Sequence, residues 1–145
     1  MEWLRQLRGQ TVGLDTAPLI YFIEQHPDYL ERVRAFFTAM DAGEFQVVTS
    51  TLTLTEVLVH PVRLSHADLA ETYRDILLNQ ENLKTLAVSS KIAELAAQLR
   101  ATQNLRTPDA IQIATALAGH AAFFLTNDLR LSSVANLQVL VLENL

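Results

Sequence analysis

Short runs of β-forming residues alternate with longer amphipathic stretches along almost the whole chain, and this alternation restricts the fold more than any other feature. Parallel strands cannot be joined by a tight turn; they need a crossover of about a dozen residues or more, usually a helix, and such crossovers are right-handed. Thr11–Leu14, Phe45–Thr49, Leu83–Val88, Ala122–Thr126 and Leu137–Leu142 read as five strands. Asp15-Thr16-Ala17-Pro18 turns into a helix, with Pro18 at an early helical position, which carries Leu19 to Ile23 and stops before Pro27. A second helix is expected from Asp28 to about Ala42, with Leu30, Val33, Phe36 and Phe37 on one face and Gly43 ending it. Ser50-Thr51-Leu52-Thr53 offers N-caps to a helix carrying Glu56, Val57, Leu58 and Val59 towards Pro61. Ser65 to Leu78, a helix opened by Ser89 with Ile92, Leu95, Ala96 and Leu99 on one side, and Thr107 to Gly119 complete the helices. The expected class is α/β with a parallel sheet, in a single domain of residues 1–145. Strand order is not legible in this pattern.

In such a fold the helices run against the strands, so strand C-termini and helix N-termini share one edge, where ligands bind. Asp15 ends the first strand, Glu56 lies early in the helix after the second, Asp109 is two residues into the helix opened by Thr107, and Asp128 follows the fourth strand. All four are therefore expected on one rim, across sequence gaps of 41, 53 and 19 residues. Each has a plain local explanation. Asp15 and Asp128 suit turns or caps, Thr53-Leu54-Thr55-Glu56 fits a capping box, and Asp109 suits a first helical turn. Those explanations do not require all four to share an edge. Converging carboxylates repel unless a cation lies between them, which points to an oxygen-ligand metal site and to phosphodiester hydrolysis as its leading chemistry.

Composition narrows the setting. The net charge is −5, but the four rim carboxylates carry −4 of it, so a nucleic-acid substrate is not excluded, although no polybasic run supports one. Cysteine is absent, which removes disulfides and thiolate zinc sites. His26, His60, His66 and His120 include no pair at the i, i+4 spacing of a helical zinc site and read as structural or surface residues. Arg63, Arg106 and Arg130 follow or flank the acidic positions and are the candidates for phosphate contacts. There is no apolar run of 18 residues and no signal-like N-terminus, so the expectation is a cytoplasmic protein without a membrane segment.

The stretches around the four acids resemble the motifs of the PIN domain, and within it the VapC-type ribonuclease toxins. Leu14-Asp15-Thr16-Ala17-Pro18-Leu19-Ile20-Tyr21 resembles the first motif, and Thr49 through Leu58, containing Glu56, the second. Thr107-Pro108-Asp109-Ala110-Ile111-Gln112-Ile113-Ala114-Thr115-Ala116 resembles the third closely, and Phe124-Leu125-Thr126-Asn127-Asp128 the fourth. The likeness runs from about Thr11 to Leu142. It implies a three-layer α/β/α sandwich around a five-stranded parallel sheet, and Mg²⁺- or Mn²⁺-dependent RNA cleavage. It implies Asp15, Glu56, Asp109 and Asp128 as the acidic site, with Thr126 and Asn127 as supporting polar residues. It further implies a homodimer held in check by a small antitoxin protein. Tyr21, Phe22, Phe36 and Phe37 on the two early helices are expected mostly in the core, with a groove for an antitoxin helix as the other reading. The competing functions are a non-catalytic PIN-like RNA- or metal-binding module and, last, a phosphotransfer domain. Asp15-Thr16-Ala17 lacks the second acid of an Asp-x-Asp pair, which ranks the phosphotransfer reading lowest.

Overall fold

The computed structural model describes residues 1–134 and 136–145. Its elements in chain order are α1 (Glu2–Arg5), β1 (Thr11–Leu14), α2 (Thr16–Ile23), α3 (Leu30–Asp41), β2 (Gln46–Ser50), α4 (Thr51–Arg63), α5 (Ala67–Leu78), β3 (Leu83–Leu86), α6 (Ser90–Gln103), α7 (Thr107–Ala118), β4 (Phe123–Thr126) and β5 (Gln138–Val141). Short 3₁₀ turns span Leu129–Leu131 and Leu142–Asn144. All four strand pairings are parallel, and the order across the sheet is β3-β2-β1-β4-β5.

Residues of β1 and β4 are buried towards both faces, as expected for strands covered by helices on each side. Successive side chains serve opposite layers. Val12, Leu14, Val47, Phe123 and Leu125 join one core with Leu19, Val33, Phe36, Phe37, Val57 and Tyr73 from α2 to α5. Val48 and Phe124 join the other with Ile92, Ala96 and Leu99 of α6 and Ala110, Ile113, Ala114 and Ala116 of α7. The small residues of α7 let it lie close to the sheet. A Cβ on Gly13 would stand 2.5 Å from the Ala116 Cβ and 2.8 Å from Phe124 Cδ1, so β1 has no room for a side chain there.

This order places the topological switch at β1. The chain leaves β1 towards β2 on one side, and returns from β3 through α6 and α7 to insert β4 on the other. Crevices form outside the carboxyl ends of strands at such a point. Asp15 follows β1 and Asp128 follows β4, on adjacent strands paired Gly13 to Phe124 and Leu14 to Leu125.

Several local expectations are revised. Helix α4 is capped by Ser50, whose side chain accepts from Leu52 N, so Glu56 lies beyond the first turn and is not part of a capping box. The same helix continues through Pro61 to Arg63; the proline is buried near its end, where only one i to i−4 bond is lost. Helix α1 was not anticipated: Trp3 lies parallel to Phe36 at 6.3 Å, and Leu7 is fully buried behind it. Phe36 and Phe37 are buried core residues, which removes them from any surface groove; half-buried Phe22 stacks on Phe37 at 4.5 Å, and Tyr21 alone of that set lines the cleft described next.

Candidate active site

At the carboxyl edge of β1 and β4 opens a cleft of about 580 Å³ whose lining includes Asp15, Glu56, Asp109 and Asp128. Arg106, Arg130, Asn127, Gln112, Thr16 and Tyr21 also face it. The register explains the convergence. Asp15 N bonds Leu125 O at 3.0 Å, extending the β1–β4 ladder by one residue, and its side chain then caps α2 by accepting from Thr16 N at 2.9 Å. Thr126, fully buried at the end of β4, donates its hydroxyl to Asp15 Oδ2 at 2.7 Å and accepts from Asp128 N at 3.1 Å. One threonine thus ties the acid after β1 to the acid after β4. Asp109 comes from the first turn of α7, and Glu56 from the exposed side of α4.

Burial pushes the Asp15 carboxyl above the ordinary aspartate range, and the neighbouring charges of Asp109 and Glu56 push the same way; the bonds from Thr126 and Thr16 oppose them. Asp128 is shifted in the other direction. Arg130 grips it through Nε at 2.9 and 3.1 Å and through Nη2 at 2.5 Å, and that hydrogen-bonded charge holds the carboxyl below its usual range. Arg106 Nε lies 3.2 Å from Asp109 Oδ2. Two carboxylates are therefore presented to the cleft against arginine, whereas Asp15 faces Asp109 and Glu56 with only hydroxyl and amide donors of its own.

The donor set suits a hard divalent cation: four carboxylates supply oxygen only, and no histidine lines the cleft among the described residues. A cation between Asp15 and its acidic neighbours would relieve their mutual repulsion, which adds to the burial that raises Asp15. In the present conformation no three acidic or imidazole side chains among the described residues close on a single point. Two of the four acids are paired with arginine in this conformation, Asp128 with Arg130 and Asp109 with Arg106.

The flanking residues divide. Arg106 and Arg130 are on the cleft wall with side chains 63% and 62% exposed. Arg63 is not there: it is the last residue of α4, two turns past Glu56 and roughly 10 Å further along the axis. Asn127 faces the cleft but holds structure together, donating to the Tyr21 hydroxyl at 3.3 Å and accepting from Glu143 N at 3.0 Å.

Sequence reasoning missed the polar layer beneath the acids. Thr49, Ser50, Thr53 and Gln112 are buried and linked side chain to side chain, and Thr16 at the cleft wall donates to Glu56 Oε1 at 2.6 Å. The available signal was Gln112 itself, an amide in the otherwise apolar run Ala110-Ile111-Gln112-Ile113-Ala114.

Residues 12–137 match the PIN domain family. No protein of curated description is similar enough in sequence to be matched. Among solved structures, the fold is similar to VapBC2 from Rickettsia felis bound to a DNA fragment from its promoter, at 19% identity and a TM-score of 0.69 over 90% of this chain and 98% of that one. A toxin–antitoxin complex from Klebsiella pneumoniae is similar at 22% identity and a TM-score of 0.67 over 91% and 97%. VapC20 of Mycobacterium tuberculosis, a toxin that cleaves the sarcin–ricin loop, is similar at 14% identity and a TM-score of 0.62 over 79% and 86%. At these identities the likeness is one of fold.

Proposed function

Because the chain belongs to the PIN domain family, we propose that it is a Mg²⁺- or Mn²⁺-dependent endoribonuclease, the toxin of a toxin–antitoxin pair. The observation that carries this reading is the meeting of Asp15, Glu56, Asp109 and Asp128 in one cleft at the switch point of the sheet. Asp15 and Asp109 would hold the cation directly, and Glu56 and Asp128 directly or through water. When bound, such an ion polarises a phosphate oxygen and lowers the pKa of an attacking water. The chain's own residues supply the rest. Thr126 and Thr16 N fix both oxygens of Asp15, so its carboxylate is oriented before any ligand arrives. Arg106 and Arg130 are long and their own side chains are exposed, so each can reach RNA phosphates, which guanidinium binds in the same bidentate way as carboxylate.

A small antitoxin partner is supported by the similar R. felis and K. pneumoniae structures, which are toxin–antitoxin complexes. A homodimer is the assembly proposed. Val59 and Val62 on α4 and Leu64 just beyond it, 46%, 61% and 60% exposed, give the monomer an apolar face consistent with it. No helix among the described residues is long and apolar enough to cross a membrane; a cytoplasmic location belongs to the same proposal.

The test is cleavage of structured and unstructured RNAs by the purified, antitoxin-free protein with Mg²⁺ or Mn²⁺, against EDTA and Asp15→Asn. Cleavage that requires both metal and Asp15 is expected. Metal binding and RNA binding with no cleavage of any RNA would replace the enzyme with a PIN-like binding module.

A further inference from the structure

Gln112 is 3% exposed on the face of α7 that packs against the sheet, where an amide is costly unless each of its groups is bonded. All of them are. Its Oε1 accepts from Ser50 Oγ at 3.0 Å, and its Nε2 donates to Thr53 Oγ1 at 2.7 Å and to Thr16 Oγ1 at 3.3 Å. We propose that Gln112 and Thr16 form a positioning pair that aims Glu56 into the cleft, with Gln112 acting through the Thr16 hydroxyl. The pair's effect on ligand binding rests on the nuclease reading of the cleft.

The direction of every proton follows from counting, since each hydroxyl has one to give. Thr49 gives its proton to the Leu14 carbonyl at 2.9 Å, an acceptor that cannot reverse. The 2.8 Å contact between Thr49 and Thr53 is therefore donated by Thr53. Thr53 then has no proton left for Thr16, 3.4 Å away. Gln112 Nε2 fills the acceptor side of Thr16, so the Thr16 proton is directed at Glu56 Oε1 at 2.6 Å. Turning the amide over would place its NH₂ against Ser50, which already accepts from Leu52 N, and would strand the Ser50 proton. One arrangement satisfies the network. It runs from the backbone carbonyl that precedes Asp15, through the buried side chains of Thr49, Thr53 and Gln112 and the half-buried Thr16, to Glu56, the one exposed residue of the four acids. Glu56 has no arginine partner comparable to those of Asp109 and Asp128 among the described residues, so this hydroxyl is what restrains it.

The experiment is a Mn²⁺ titration of the full chain, read by the loss of the free-ion electron paramagnetic resonance signal, for wild type, Gln112→Met, Thr16→Val and the double variant. Methionine keeps the volume of Gln112 and removes its hydrogen bonds; valine does the same at Thr16. Each single change is expected to weaken Mn²⁺ about tenfold, the lower range for partners that orient a ligand. The double variant is expected to be no weaker than Thr16→Val alone, because the amide acts through that hydroxyl. Unchanged affinity in Gln112→Met, or losses that multiply in the double variant, overturns the positioning pair. Wild-type protein that binds no Mn²⁺ overturns the nuclease reading instead. Should Gln112→Met lack a cooperative unfolding transition, Thr16→Ser against Thr16→Val decides. Serine restores the hydroxyl and is expected to restore affinity; equal loss in both overturns the proposal.

Discussion

Replacing Gly13 by alanine tests the close approach that sets α7, and with it Asp109, against the strand that ends at Asp15. The added Cβ would meet the Ala116 Cβ at 2.5 Å and Phe124 Cδ1 at 2.8 Å. Ordinary contact begins at about 3.4 Å, so α7 must withdraw by nearly 1 Å or β1 must shift. Ala116 cannot yield by rotating, since its Cβ is fixed to the helix backbone. Against this, alanine narrows the unfolded ensemble, a gain of about 0.4–1 kcal/mol. Overpacking a tight core costs about 1–3 kcal/mol and is the larger effect. The expected net loss is about 1–2 kcal/mol. With a urea m-value of about 1–3 kcal/mol/M, the unfolding midpoint should fall by roughly 0.5–1 M at unchanged slope. Ala116→Gly in the same chain removes the opposing methyl, so the double variant should be more stable than the sum of the two single losses. Gly13→Ala protein as stable as wild type would refute the packing argument. Strict additivity would show that the loss arises somewhere other than at this contact.

Two further outcomes follow from the electrostatics of the cleft. Arg130→Gln releases Asp128, whose carboxyl Arg130 holds down, so Mn²⁺ affinity should rise severalfold in a titration. RNA affinity measured in an Asp15→Asn background should fall, with a shallower salt dependence, and a parallel rise or fall of the two affinities would contradict the exchange of Arg130 between acid and phosphate. Asp15→Asn should stabilise the metal-free protein at neutral pH. The Asp15 value is raised by burial, so its contribution to stability is complete below the ordinary aspartate value of 3.8 and is lost as pH rises through the folded value. The gain in melting temperature on substitution should therefore be larger at pH 7 than at pH 4, and the opposite trend would show that Asp15 is not desolvated. Asp128 titrates with the opposite sign, since its value is lowered, but it is common to both proteins and drops out of the difference.

The parts of this molecule that were legible in sequence are those written in local pattern. Apolar runs such as Val12 to Leu14 and Phe123 to Leu125 mark strands buried on both faces, and α/β topology alone sends the residues after them to one rim. The α/β class with a parallel sheet followed from that, and the three-layer arrangement came with the resemblance to the PIN domain. Periodicity reports burial and not neighbours, so the order β3-β2-β1-β4-β5 was beyond it. Arg63 follows Glu56 closely in sequence, but a helix carries seven residues roughly 10 Å, and that distance takes Arg63 out of the cleft. Thr53 looked like a helix cap because hydroxyls usually are; Ser50 holds that role and Thr53 is buried in the polar layer. The dependence of Glu56 on Gln112, 56 residues away, arises only from packing α7 across β1 and β2, which no local signal reports.

The most direct test of the central claim is anomalous diffraction from crystals of the antitoxin-free protein soaked in Mn²⁺. The account predicts a peak in the cleft ligated by Asp15 and Asp109, with Arg106 turned away from its aspartate. A Mn²⁺ peak confined to other parts of the surface, at concentrations that saturate binding in solution, would contradict it.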